Sequence, residues 1–298
     1  MIAKFGDWPE KYSALKESKI VLLPVPYDGT STWLKGADKG PKAIIDSSVN
    51  LEWYDIETGS EVYKKGIHTA KPVKISAKPE LMVKQVESAV KKYLAQDKMA
   101  VVLGGEHSVS LGAIAAYKEK YPDLHVLQLD AHADLRQEYS GSKFNHACVM
   151  ARVKEICPIV QVGVRSLDIS ERLGLAAGRI FYAQEIYDNK NWQEKALAKL
   201  SGKVYITIDL DVFDPSILPA TGTPEPGGLS WYPVINFLKK VCQEKEVIGF
   251  DIVELCPNKI DKTSDYLAVK LIYKLLSYIF NDFKPASAGR LAIMDKKC

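Results

Sequence analysis

The sequence lacks any hydrophobic run long enough to cross a bilayer, which takes about 20 consecutive apolar residues in a helix. Residues 1–9 also lack the apolar core of a secretory signal. No linker rich in proline or serine, no internal repeat and no low-complexity tract divides the 298 residues, of which 47% are hydrophobic. These absences argue against a membrane protein and predict a cytoplasmic chain folded as one domain over residues 1–298.

Cysteine is scarce, and neither sign of charge is concentrated. The cysteines are odd in number and form no C-x-x-C pair, which predicts reduced thiols and neither a disulfide framework nor a zinc cluster. They are Cys148, Cys157, Cys242, Cys256 and Cys298. The 40 basic and 37 acidic residues give a net charge of +3, and the lysines are scattered among acids, which argues against nucleic acid as a partner.

The sequence does contain repeated strand-like apolar runs that alternate with helical patterns. Strand-like runs begin at Lys19, Met99, Leu124, Pro158, Arg179, Lys203 and Glu246. One helix is predicted to start in the segment from residue 36, with Pro41 in its first turn. Further helices are predicted over 79–95, 108–117, 147–155 and 265–280, and around 168–176 and 190–200. Residues 214–229 are too rich in proline and glycine for regular structure. This alternation is typical of a parallel sheet covered on both faces, but it does not separate an open sheet from a closed eightfold barrel.

Three metal-binding side chains alternate where one strand ends, in Asp130-Ala-His-Ala-Asp134. Alternate residues of an extended chain point the same way, so the two carboxylates and the imidazole face one space. A straight strand would hold Asp130 and Asp134 about 13 Å apart, whereas ligand atoms lie roughly 2 Å from their ion. The chain must therefore curl here, or serve two ions. A solvated acidic turn with an incidental histidine is the alternative that this stretch alone leaves open.

Two other strand ends carry similar side chains. The run from Lys203 ends in Asp209 and Asp211, and the run from Met99 opens into a glycine turn that carries His107. The carboxyl ends of parallel strands meet at one edge of an open sheet, where ligands bind. Four ionised aspartates and two neutral histidines would bring about four negative charges to that edge, enough for two divalent cations. A dinuclear metal site is therefore predicted.

The ligand types narrow the choice of metal. No cysteine falls in these motifs, and a set dominated by carboxylates suits manganese better than zinc held by thiolates. Iron, cobalt and nickel fit the same ligands, so manganese is the first choice among several.

Together these motifs resemble the ureohydrolase (arginase/agmatinase) family, and its agmatinase branch most. The resemblance is carried by Gly104-Gly-Glu-His107, Asp130-Ala-His-Ala-Asp134, Asp209-Leu-Asp211 with Asp214-Pro215 and Thr221-Gly-Thr-Pro224, Asp251-Ile-Val-Glu254, Pro26-Tyr-Asp-Gly29 and the segment from Gly36 to Pro41. It implies a single three-layer α/β domain with a mostly parallel, open β-sheet flanked by helices. It also implies two Mn²⁺ ions, hydrolysis of a guanidino compound to urea and an amine, and a homo-oligomer, trimeric or hexameric.

Carried over position by position, the resemblance implies six metal ligands. One ion would be held by His107, Asp130, Asp134 and Asp209, and the other by Asp130, His132, Asp209 and Asp211. Asp130 and Asp209 would thus bridge the ions. A metal can lower the pKa of bound water from 15.7 to about 7, and two metals roughly 3.5–4 Å apart can hold a hydroxide between them for attack on the guanidino carbon.

The same resemblance gives three residues catalytic roles. Asp134 would pass a proton to the leaving amine, and His146 would shuttle protons, a task suited to a pKa near neutrality. Glu254 would pair with the substrate guanidinium through a charge-assisted contact. The sequence departs from the family pattern at Ala147-Cys148, where many relatives have glycine, and at Cys256, where asparagine is frequent.

The substrate prediction depends on the group at the far end of the guanidino compound. Loop 137–145 does not reproduce the pattern that arginases use for the head of arginine, which favours agmatine, cleaved to urea and putrescine in polyamine biosynthesis. Agmatine ends in an ammonium, and the candidate acids to meet it are Glu138, Asp168, Glu171 and Glu225. Aminopropylagmatine, guanidinobutyrate and arginine are the alternative substrates.

Two other classes of function fit part of the pattern. A deacetylase-like hydrolase could use D-x-H ligands around a single zinc, but the six-ligand set and Glu254 argue against it. A catalytically silent metal-binding subunit could keep the ligands without turnover, but every expected ligand is present. Metal stoichiometry and a urea-release assay distinguish these from the dinuclear enzyme.

Overall fold

The computed structural model describes residues 4–281, in which strands and helices alternate along the chain. The strands are β1 (Ile20–Val25), β2 (Ile67–Thr69), β3 (Met99–Gly104), β4 (His125–Leu129), β5 (Ile159–Val164), β6 (Ile180–Tyr182), β7 (Lys203–Asp209) and β8 (Glu246–Val253). The helices are α1 (Gly40–Ser47), α2 (Pro79–Leu94), α3 (Val109–Lys120), α4 (Val149–Ile156), α5 (Ala183–Asp188), α6 (Trp192–Leu197), α7 (Trp231–Glu244) and α8 (Thr263–Ile279). Cys298 lies outside the described residues, as do residues 1–3 of the segment inspected for a signal.

All eight strands join one sheet in the order β2-β1-β3-β8-β7-β4-β5-β6. Every neighbouring pair is parallel, and within residues 4–281 β2 and β6 are the two edge strands and do not pair with each other. The sheet is therefore open, which decides between the two architectures that periodicity left unresolved. The predicted α/β fold with an open parallel sheet is confirmed.

The two faces of the sheet bury two separate hydrophobic clusters. Along β1, Ile20 and Leu22 pack with the cluster that includes α1, α7 and α8, whereas Val21 and Leu23 pack with the one that includes α2, α3 and α4. Side chains alternate across a strand, so a strand covered on both faces must be apolar at every position. This requirement explains the nearly continuous apolar runs in the sequence.

Most helix and strand predictions agree with the structure to within a few residues. The helix predicted around 168–176 is present over Ile169–Gly174 as a 3₁₀-helix. Asp168 caps it by accepting from Ser170 N at 2.9 Å, and the segment ends at Gly174 after six residues. The short strand β2 and the helices α5 and α7 were not predicted.

Four adjacent strands at the centre of the sheet, β3, β8, β7 and β4, end at the same edge. His107 follows β3, Glu254 follows β8, Asp209 ends β7 and Asp130 follows β4. The parallel register therefore brings together side chains that are far apart in the sequence.

A helix with the length and hydropathy of a membrane span is absent from residues 4–281.

Candidate metal centre and catalytic cavity

A first group of ligand atoms surrounds the imidazole of His107. Its Nδ1 lies 3.0 Å from Asp130 Oδ2, 3.1 Å from Asp134 Oδ2 and 3.4 Å from Asp209 Oδ2. All four side chains are buried. The turn after β3 and the ends of β4 and β7 thus converge on one point.

A second group lies beside the first and shares one carboxylate with it. His132 Nδ1 is 2.9 Å from Asp211 Oδ2 and 3.6 Å from Asp130 Oδ1. The candidate ligand atoms of His107, Asp130 and Asp134 lie within 4.8 Å of one another, as do those of Asp130, His132 and Asp211. Two adjacent groups that share Asp130 form a candidate site for two ions.

The chain curls after β4, as the separation of Asp130 from Asp134 required. Asp134 has a φ of 52°, in the left-handed region that few residues other than glycine enter. Its carbonyl oxygen accepts from the backbone N–H groups of Met150 and Ala151 at 3.0 and 3.1 Å, which ties the curl to the start of α4. Backbone strain of this kind costs roughly 1–3 kcal/mol and is concentrated at functional sites.

The electrostatics of these groups fit divalent cations. Burial and the neighbouring charge of Asp130 raise the pKa of Asp134 to about 7. Burial also places the pKa of Asp209 well above its ordinary value. Buried carboxylates require a compensating charge, and metal ions supply it.

The hydrogen bonds of His107 also fit a bound metal ion. Its Nε2 lies 2.9 Å from Thr207 Oγ1, whose own hydroxyl donates to Asp251 Oδ1 at 2.6 Å. Because that hydrogen is donated to the carboxylate, Thr207 accepts from His107 Nε2–H, so the neutral imidazole would carry its lone pair on Nδ1. Nδ1 is buried and makes no hydrogen bond within the described part of the chain, although it faces three carboxylates. A lone pair directed at carboxylate oxygens is the arrangement expected around a cation.

A cavity of about 260 Å³ opens next to these groups. Asp134, His146 and Glu254, the three predicted catalytic residues, all line it together with His132 and Asp209. Glu254 is 8% exposed, has a φ of 65°, and its Oε1 accepts from the backbone N–H of His107 at 2.7 Å. Burial, reinforced by the charge of Glu106, raises the pKa of Glu254 well above its ordinary value. A cationic ligand would offset that penalty.

Comparison with known proteins assigns the chain to a family. The model of the Arginase family matches residues 18–277. The chain belongs to the arginase family. It is 38% identical to the N(1)-aminopropylagmatine ureohydrolase of Synechocystis sp. over 92% of this chain and 95% of that protein. It is 33% identical to the agmatinase of Pyrococcus horikoshii over 88% of this chain and 92% of that protein.

Structural comparison gives the same result. The crystal structure of agmatine ureohydrolase of Thermoplasma volcanium superposes with a TM-score of 0.83 at 30% identity, covering 93% of this chain and 95% of that one. The predicted membership in the arginase family, and with it the hydrolase class, is confirmed.

The four acids suggested for the ammonium end of the substrate differ in position within this arginase-family fold. Glu138 is exposed and outside the cavity lining. Glu171 is buried, and its oxygens accept from the backbone N–H groups of Leu135 and Asp168 at 2.7 and 2.6 Å, so it fixes the loop. Glu225 Oε1 lies 3.9 Å from Nε2 of His132. Asp168 lines the cavity, with its carboxylate 3.6 Å from Arg136.

Several residues that support the proposed ligands were missed by the sequence analysis. Gln128 Nε2 donates to Asp130 Oδ2 at 2.6 Å, and Thr207 contacts His107 as described above. Both are polar residues in otherwise apolar strands, two positions before an aspartate, and both are fully buried. Buried polar groups need hydrogen-bond partners, so this spacing is a signal that could have identified them.

Proposed function

We propose that the chain is a dinuclear manganese hydrolase that cleaves a guanidino compound, with agmatine as the first candidate, to urea and an amine. The observation that carries the proposal is the convergence of six donors, in two groups sharing Asp130, beside a cavity lined by Glu254. Agmatine would yield putrescine. A cytoplasmic location and a trimeric or hexameric assembly remain predictions.

The ligand assignment follows the two groups. His107, Asp130, Asp134 and Asp209 would hold one ion, and Asp130, His132, Asp209 and Asp211 the other. When bound, the ions would supply activated water at neutral pH. Manganese is proposed because the donors are four carboxylates and two imidazoles without a thiolate. The contact of Asp209 Oδ2 with the first group supports its place there.

Three cavity residues act on the substrate in this proposal. Glu254 binds the guanidinium, and its carboxylate holds the planar group by charge-assisted hydrogen bonds. Asp134 transfers a proton to the nitrogen that leaves, because a neutral amine is a better leaving group than its anion. His146 exchanges protons between this cavity and solvent in this proposal. Burial lowers the pKa of His146 to about 4, below the near-neutral value expected from the sequence, so the imidazole is neutral at pH 7 and would accept a proton.

N(1)-aminopropylagmatine is the second candidate substrate. The curated relative at 38% identity bears that activity in its name, whereas the agmatinase compared above is 33% identical. Asp168 and Trp33 also line the cavity, and Trp33 is 66% exposed. An acid and an exposed indole face are suited to the additional ammonium group of this longer compound, through an ion pair and a cation–π contact.

A panel of guanidino compounds assayed for urea after manganese loading tests the proposed function. We expect the highest kcat/KM with agmatine or N(1)-aminopropylagmatine, and lower values with guanidinobutyrate and arginine, whose carboxylates would face Asp168. Metal analysis should give two manganese ions per chain. If no compound releases urea, the proposed ureohydrolase activity is wrong. One metal ion per chain would favour the alternative of a single-zinc hydrolase.

Thr207→Val should weaken manganese binding about 10–100-fold, as loss of a hydrogen bond behind a ligating histidine typically does. Valine keeps the shape of threonine but removes the hydroxyl that fixes His107 in the Nε2–H tautomer. Isothermal titration with manganese alone measures the change. Ser277→Ala, which removes a buried hydroxyl from α8, is the matched control. Equal affinities in Thr207→Val and the wild type would contradict the assigned tautomer.

A further inference from the structure

The loop after β1 places Thr30 between two residues that are distant in the sequence. Thr30 Oγ1 lies 2.8 Å from both Oε1 and Oε2 of Glu106, and the Thr30 backbone N–H donates to Glu106 Oε2 at 2.6 Å. On its other side, Thr30 Oγ1 accepts from the backbone N–H of His146 at 2.9 Å and lies 3.3 Å from His146 Nδ1. Thr30 therefore links a buried carboxylate to the loop histidine of the cavity.

Glu106 acts only as an acceptor in this arrangement. It is fully buried, and its two oxygens receive the Thr30 N–H, the Thr30 hydroxyl and the Ser108 hydroxyl. Three donors directed at one carboxyl group match an ionised carboxylate, which has no hydrogen to give. The Thr30 hydroxyl hydrogen is therefore committed to Glu106.

This commitment decides which nitrogen of His146 carries a hydrogen. A threonine oxygen has one hydrogen and two lone pairs. With the hydrogen given to Glu106 and one lone pair occupied by the His146 backbone N–H, the remaining lone pair can only accept from Nδ1–H. His146 is then protonated at Nδ1, and Nε2 holds the lone pair that can exchange a proton.

We propose that Thr30 and Glu106 are positioning residues that hold His146 in the Nδ1–H tautomer, with Nε2 available for proton transfer in the cavity. The inference rests on the proposed function, which gives His146 its role. A similar arrangement occurs at His107, where Asp251 and Thr207 favour the other tautomer of the neutral ring. In both cases a buried carboxylate orients a threonine hydroxyl, and the hydroxyl selects the nitrogen.

Thr30→Val tests the proposal against Thr30→Ser in the manganese-loaded enzyme. Valine removes the hydroxyl and should lower kcat about tenfold or more, within the roughly 10²–10⁴-fold that a positioned acid–base group contributes. KM should change less than twofold, because Glu254 still binds the guanidinium. Serine keeps the oxygen and should retain most of the wild-type kcat. An unchanged kcat in Thr30→Val, or a serine variant as slow as the valine variant, would overturn the proposal.

A double-mutant cycle with His146→Gln separates positioning from general damage. If Thr30 acts through His146, then Thr30→Val should add little to the loss already caused by His146→Gln, because coupled residues are not additive. If the fold-losses in kcat of the two single variants instead multiply in the double variant, Thr30 acts independently of His146. Thr69→Val is the matched control, since its hydroxyl accepts from Phe5 N at 2.9 Å on the edge strand β2.

Crystal structures of the wild type and Thr30→Val provide a readout independent of turnover. We expect His146 Nδ1 to stay within hydrogen-bonding distance of Thr30 Oγ1 in the wild type and the ring to change orientation in the variant. If the His146 ring has the same orientation in Thr30→Val as in the wild type, the proposal is wrong. Failure of the proposed function itself is distinguishable, because the wild type would then release no urea from any compound of the substrate panel.

Discussion

Asp134→Asn is expected to lower kcat by roughly 10²–10⁴-fold, the range attributed to a positioned acid–base group. Asparagine keeps the size of the side chain but cannot carry a proton between water and the leaving amine. It also removes a negative charge from the group around His107, where Asp134 Oδ2 lies 3.1 Å from Nδ1. Steady-state urea release at saturating manganese measures the effect.

Metal content and folding must be checked in the same variant. Because asparagine still offers a neutral oxygen and tolerates positive φ, we expect the fold to be retained at the φ of 52° that Asp134 adopts. Manganese per chain and the melting temperature should be compared with those of Asp123→Asn, which changes an exposed acid paired with Lys203 outside the cavity. A fully metal-loaded Asp134→Asn enzyme with a normal kcat would show that Asp134 is not the proton carrier.

Glu254→Gln is expected to reduce kcat/KM about 10–150-fold, the equivalent of the 1.5–3 kcal/mol assigned to a hydrogen bond with a charged group. Glutamine keeps an oxygen that can accept from the backbone N–H of His107, as Glu254 Oε1 does at 2.7 Å, so the local structure should hold. It loses the negative charge that would face the guanidinium. The effect should appear mainly as a higher KM.

The control for this variant is Glu246→Gln, at the opposite end of the same strand β8, where the side chain is exposed. Kinetics should be measured with agmatine and N(1)-aminopropylagmatine, because both present the same guanidinium to Glu254. A loss of kcat/KM with only one of the two substrates would indicate that Glu254 contacts the part of the substrate beyond the guanidinium. A catalytic efficiency equal to that of Glu246→Gln would rule out guanidinium binding by Glu254.

Particular residues show how far the sequence could predict the candidate site. Asp130, His132, Asp209 and Asp211 are recognisable because each lies at or just after the end of an apolar strand, and parallel strands bring their carboxyl ends to one edge. Thr30 carries no such signal, since it lies in a loop that could approach any strand. Glu171 resembles a surface acid in the sequence, yet both of its oxygens bind backbone N–H groups.

The sequence by itself determined the α/β class, the alternation of strands and helices, and the family, because apolar periodicity and short motifs are local properties. Only the tertiary structure decided that the sheet is open, that the two ligand groups share Asp130, and that a threonine contacts each of His107 and His146. The physical reason is that hydrogen-bond partners are selected by distance and direction in space. Thr30, Glu106 and His146 span 116 residues of chain, and only the folded sheet edge places them in contact.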